Sequence, residues 1–214
     1  AARPVSIEQH SGSIQFPDAP QASSIGALSM SFQSAVAGIT DDPAILFVAT
    51  GGRNMSATIA AGSANATFNG QNSLTFQTGT TAGTLTFKLS FADGDSYTKS
   101  VDILPSTIQL ASTAATRQAP YLMVDVTAFD NTYSAGKLLF NFYDTNGNAM
   151  APGGITLDES QDFHQYFFGS NAAGGAFALQ AKFPVTGDLT TVGSVDVTIQ
   201  NSQGQSKTQR VQFQ

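Results

Sequence analysis

The sequence predicts an all-β protein, and three observations carry that reading. Apolar residues recur at every second position in one short run after another, as in Leu85, Phe87, Leu89 and Phe91, with Thr86, Lys88 and Ser90 between them. A period of two puts one set of side chains on a single face of a strand and leaves the other face to water. Turn-forming residues punctuate these runs at short intervals, and no stretch of comparable length carries a helical period.

Residues 1–24 form a Pro/Ser/Ala/Gln-rich arm with two short alternating patches, Val5/Ile7 and Ile14/Phe16. Strands are expected next near 27–34 (Leu28/Met30/Phe32), 45–50, 54–60, 64–68, 73–78, 83–92 and 97–104. Between them stand Asp41-Asp42-Pro43, Gly51-Gly52, Ala61-Gly62-Ser63, Asn69-Gly70, Gly79 and Asp93-Gly94-Asp95, residue types that favour turns. Pro105 and the polar stretch 111–119 interrupt the pattern before Pro120, so a boundary is expected near 112. Strands then follow near 121–129 (Leu122/Val124/Val126), 137–143 (Leu138/Phe140/Phe142), 154–158, 164–168, 176–184, 194–200 and 205–213. Asn146-Gly147 reads as a tight hairpin turn because both residues tolerate positive φ, and Asn201–Gly204 reads as a longer loop. Seven short strands in about 100 residues, twice over, match two tandem immunoglobulin-like β-sandwich domains. The expected organisation is an extended N-terminal arm, 1–24, then sandwiches at 25–111 and 112–214. A single jelly roll is the competing architecture, and the 111–119 interruption ranks it second.

Composition narrows the function. Charged residues are 11% of the 214, against about 25% in an ordinary soluble domain. Ser, Thr, Asn, Gln and Gly make the polar surface instead, and such a surface repels copies of itself only weakly. The net charge of −6 argues against phosphate ligands and nucleic acid. With no cysteine there is neither a disulfide frame nor a thiolate metal site. No apolar run approaches the roughly 20 residues that a membrane-spanning helix needs. Five Tyr and no Trp give no aromatic girdle for an outer-membrane barrel. The start at Ala1-Ala2-Arg3-Pro4 fits a mature end left by signal-peptide removal, and a secreted, cell-surface protein is expected.

Thr58-Ile-Ala-Ala-Gly-Ser-Ala-Asn-Ala-Thr-Phe68 resembles a strand–turn–strand phrase of bacterial Ig-like and Calx-β-like secreted surface-protein domains. Thr78–Thr86 is similar to the segment that follows it in such repeats, and Val195–Gly204 to the terminal hairpin of tandem secreted domains. The likeness covers about a third of the chain and implies fold and secretion. Calcium is not carried over with it. Only Asp41-Asp42 and Asp93/Asp95 could stand in for the acidic loops of Calx-β domains, and the long acidic loop is missing.

No cofactor, metal site or catalytic set is expected. Asp93-Gly94-Asp95 and Asp144–Asn148 read as turns, since hard cations want six to eight oxygen ligands. Asp158, Glu159, Asp162 and His164 form the densest ionisable cluster, but His10 is the sole other histidine. There is no Gly-x-Ser-x-Gly, and a glycosidase needs two facing carboxylates. Lys88, Lys99, Lys137 and Lys182, on or beside strands, read as surface lysines rather than isopeptide partners. Phe163, Tyr166, Phe167 and Phe168 crowd four aromatics into six residues, which breaks strict alternation and exposes at least one ring as a candidate anchor.

The arm supplies the leading functional expectation. Val5, Ile7, Ile14 and Phe16 have the spacing of a strand that adds to an open sheet edge. Repeated head to tail, such a contact grows into a homopolymer. The sequence is therefore read as a non-catalytic secreted structural protein, a subunit of a surface filament or layer joined by strand addition. The alternative is an adhesin or carbohydrate-binding module that uses the Phe163–Phe168 aromatics on a surface glycan.

Overall fold

The computed structural model of the chain describes residues 6–169 and 174–214. It is an all-β sandwich protein whose chain divides into two compact units, the first ending at Leu104 and the second beginning at Pro105.

Unit 1 contains β1 (Gln9–Gly12), β2 (Ser24–Ser34), β3 (Ile45–Phe47), β4 (Asn54–Ile59), β5 (Ala66–Phe68), β6 (Leu74–Thr78), β7 (Gly83–Phe91) and β8 (Ser96–Ile103). Three strands pair in the order β1-β6-β3 and five in the order β5-β4-β2-β7-β8. The antiparallel register sets Leu28 opposite Leu89, Met30 opposite Phe87 and Phe32 opposite Leu85, so the alternating residues share one face. Leu28, Met30, Leu85 and Leu89 from the larger sheet are buried with Ile45, Phe47, Leu74 and Phe76 from the smaller one. Phe87 meets Phe76 edge-on with ring centroids 4.9 Å apart, closing the layer.

The arm belongs to this unit. Strand β1 pairs with β6, Gln9 opposite Gln77 through Gly12 opposite Leu74. Ile14 and Phe16 pack against the unit 1 core, and Phe16 also meets the Tyr97 ring at 5.1 Å. Ile7 stands 40% exposed with φ of 59°, and its N–H donates to the Gly79 carbonyl at 2.6 Å. Val5 lies outside the described residues.

Unit 2 contains β9 (Gln109–Gln118), β10 (Tyr121–Phe129), β11 (Lys137–Asp144), β12 (Ile155–Asp158), α1 (Ser160–Phe168), β13 (Ala176–Pro184), β14 (Val192–Asn201), β15 (Gly204–Lys207) and β16 (Val211–Gln212). One sheet runs β13-β10-β9, the other β12-β11-β14-β15, with β16 also on β14. Phe140 and Phe142 of β11 meet Phe183 of β13 at 4.8 and 5.1 Å, which packs the two sheets face to face.

Three expectations are corrected here. The stretch 111–119 does not interrupt the strands, because most of it lies in β9, a strand of small residues in which only Ala115 is deeply buried. Residues 164–168 form the end of helix α1 rather than a strand. The tight turn at Asn146-Gly147 has positive φ only at Gly147 (84°). The Asp144 carboxylate takes the Asn146 and Asn148 N–H groups at 2.9 and 2.8 Å, building a wider loop around itself.

Candidate functional site

Helix α1 joins the edge strand of one unit 2 sheet, β12, to the edge strand of the other, β13. Phe163 and Phe167 stand four residues apart, so they share one helix face, and both are buried. Phe163 meets Phe177 at 5.0 Å, and Phe167 meets Tyr133 at 5.1 Å. At the helix entry Asp158 accepts from Ser160 N–H at 3.2 Å and from its Oγ at 2.6 Å. Asp162 in the first turn suits the positive end of the helix dipole. The four aromatics therefore divide. Tyr166 and Phe168 are 46% and 38% exposed, while Phe163 and Phe167 anchor the helix to the core. Phe168 stacks on His164 at 4.6 Å, and Tyr166 Oη donates to the Ala176 carbonyl at 3.1 Å.

Beside α1 lies a groove of about 480 Å³. Leu138, Leu157, Phe163, Phe177, Leu179 and Phe183 give it apolar walls, and Glu159, Asp162, Tyr166, Gln180 and Lys182 add polar groups. That volume falls within the roughly 300–1,000 Å³ of ordinary ligand pockets. Every residue from Phe177 to Phe183 lines the groove, so a whole stretch of the β13 edge faces it.

Glu159 is the N-cap of α1 and Asp162 lies in its first turn. The Asp162 carboxyl beside it, then burial, then the charges of Asp162 and Asp158 raise the Glu159 carboxyl above its ordinary value. The two acids sit side by side, not across a cleft as glycoside hydrolysis requires. What they supply is a local negative potential at the groove.

Other sequence candidates resolve into structural roles. Asp93 Oδ1 accepts from Asp95 N–H at 3.1 Å, a self-satisfied turn. Among the described residues no group of three or more His, Cys, Asp or Glu is arranged to hold a metal ion. The Lys182 ammonium lies 5.2 Å from the Tyr121 ring centroid. Lys207, not singled out from the sequence, pairs with the buried Asp196 at 3.0 Å. The groove itself left no sequence motif. It exists because two sheet edges remain open on either side of a helix, and only the Phe163/Phe167 spacing hinted at that helix.

No protein-family model matches the chain, and no curated protein does. Among solved structures it is similar to red sea bream transglutaminase, at 12% identity over 100% of this chain and 30% of that chain, TM-score 0.29. A DUF3823 family protein from Bacteroides ovatus is similar at 10% identity over 96% of this chain and 98% of that one, TM-score 0.31. Adhesin InvE of Yersinia pseudotuberculosis is similar at 14% identity over 95% of this chain and 58% of that one, TM-score 0.29. Likenesses at this level assign neither a family nor an activity.

Proposed function

We propose that this chain is a non-catalytic, extracellular surface protein that works by adhesion, holding another macromolecule in the groove of unit 2. The groove carries the reading: it combines apolar walls, a half-exposed Tyr166 and unlike charges at Glu159, Asp162 and Lys182. The test is an array of soluble glycans and extracellular proteins probed with the intact chain and with Leu157→Trp, which fills the groove. Saturable binding that Leu157→Trp abolishes supports the proposal. No saturable binding overturns it, and so does binding that Leu157→Trp leaves unchanged.

A second reading keeps the filament. Strand β1 closes a sheet edge through a register of four residues, and the same pairing made between copies would join subunits head to tail. Ser11 Oγ and Thr75 Oγ1 lie 3.1 Å apart across that pairing, and the chain has no cysteine of its own. Ser11→Cys with Thr75→Cys therefore reports arm exchange directly. Covalent multimers after oxidation of concentrated protein support filament assembly, and exclusively monomeric cross-linked chain overturns it.

A further inference from the structure

Strand β13 presents an unpaired backbone edge to the groove. Gly175 O accepts from Asp130 N–H and Val185 N–H donates to Pro120 O, so odd-numbered residues turn their backbone polar groups toward β10. The even-numbered Ala178, Gln180 and Lys182 turn theirs the other way, the direction marked by the Tyr166 Oη bond to the Ala176 carbonyl. Among the described residues no strand pairs with that side of β13. An exposed row of donors and acceptors is a template for another strand.

Another long edge strand, β8 in unit 1, offers no such reward. Its residues Ser96–Ser100 are exposed on both faces, and Lys99 stands among them. An added strand there would gain backbone bonds and little apolar burial. Along β13 both are available, because Leu157 and Leu138 form the opposite wall. Glu159 and Asp162 add negative charge at the same place, two carboxylates against the one lining cation, Lys182.

We infer that the β13 edge takes up an extended peptide segment of a partner protein, its alternate apolar side chains entering the groove and a lysine or arginine meeting Glu159 and Asp162. The inference rests on the adhesive reading of unit 2 and supplies its ligand class. Main-chain bonds to Ala178, Gln180 and Lys182 give affinity, while the groove and the acid pair select the sequence. Charge-assisted bonds to the two carboxylates make the basic residue the strongest selector.

The probe is a short synthetic peptide alternating valine and serine around one central lysine, with a shuffled control and a counterpart carrying glutamate. Fluorescence anisotropy should show saturable binding of the lysine peptide and about tenfold weaker binding of the other two. Glu159→Lys should reverse the preference between lysine and glutamate peptides, a readout that a merely unfolded variant cannot give. Hydrogen exchange on the whole chain supplies the second readout. The Ala178, Gln180 and Lys182 amides should exchange fast in the free protein, Leu179 and Ala181 slowly, and the lysine peptide should protect the first three. Absence of peptide binding, or binding without protection of those amides, overturns the strand inference. If the array still yields a glycan that Leu157→Trp abolishes, the adhesive reading stands without it; if neither peptide nor array binds, both fall.

Discussion

Asp130 holds the turn after β10 together from inside. Its carboxylate accepts Thr132 N–H at 3.0 Å, Thr132 Oγ1 at 2.7 Å, Ser134 N–H at 2.7 Å, Ala135 N–H at 2.6 Å and Asn201 Nδ2 at 2.9 Å, with the residue wholly buried. Asp42 does the same in unit 1 for Ala44, Thr80 and Thr81. Removing such an acceptor strands several buried donors at once. Asp130→Ala should therefore cost about 2–4 kcal/mol by scanning calorimetry, whereas a loss under about 1 kcal/mol would mean that water replaces the carboxylate. Neither residue was legible in the sequence as a core group. Asp130 beside Asn131 and Asp42 beside Pro43 are turn residue types, and the sequence does not show that Asn201, or Thr80 and Thr81, come from far along the chain to complete their donor sets. Asp196 adds a pH dependence. Burial pushes its carboxyl up, but hydrogen bonds from Asn141, Tyr143 and Lys207, with the Lys207 charge, together hold it below the ordinary value. A depressed folded value stabilises the protein above the unfolded value of about 3.9 and is lost as pH falls further. Asp196→Asn should accordingly lower Tm most at neutral pH, with the gap to the original chain narrowing below about pH 4. A gap that widens on acidification would contradict the assignment.

At the scale of elements, legibility followed amplitude. Strands β2, β7, β10, β11, β13 and β14 carry large apolar residues on one face, and their two-residue period is visible without coordinates. Strand β9 carries mostly Ala, Ser and Thr, so its period has almost no amplitude and the sequence shows an interruption there instead of a strand. Its place is secured instead by pairing with β10 and by Arg117, whose guanidinium donates to the Phe213, Val192 and Leu189 carbonyls at 2.6, 2.7 and 3.2 Å. Helix α1 is hidden for a different reason: three of its four aromatics are consecutive, Tyr166-Phe167-Phe168, and that run masks the four-residue spacing of Phe163 and Phe167. The same two positions make a sharp prediction. Phe167→Ala should cost about 3–5 kcal/mol, because it opens a cavity among Tyr133, Phe163 and Phe177. Tyr166→Ala, in the next position but half-exposed, should cost about 1 kcal/mol or less in chemical denaturation. Equal losses would show that the helix is not seated on its Phe163/Phe167 face.

For the whole molecule the decisive question is where the chain can be cut. The sequence pattern places the boundary near 112, because β9 is quiet and Pro105 precedes it. Physical connections place it earlier. Ile108 is buried at 3% exposure, the Ser106 carbonyl accepts from Asn201 Nδ2 at 2.9 Å, and Ser206 Oγ donates to the Ile108 carbonyl at 2.5 Å. A fragment starting at residue 112 loses all three, and with them the pairing of Leu110 with Ala128. Burying one large aliphatic side chain contributes about 1.5–3 kcal/mol, and each lost bond to a buried group about 1 kcal/mol more. A single sandwich holds only about 5–15 kcal/mol in all, so such a loss is a large share of it. The fragment 105–214 should therefore unfold in one cooperative transition, and the fragment 112–214 should unfold at markedly lower denaturant or fail to fold. Indistinguishable midpoints for the two would return the boundary to 112 and leave residues 105–111 as a true linker.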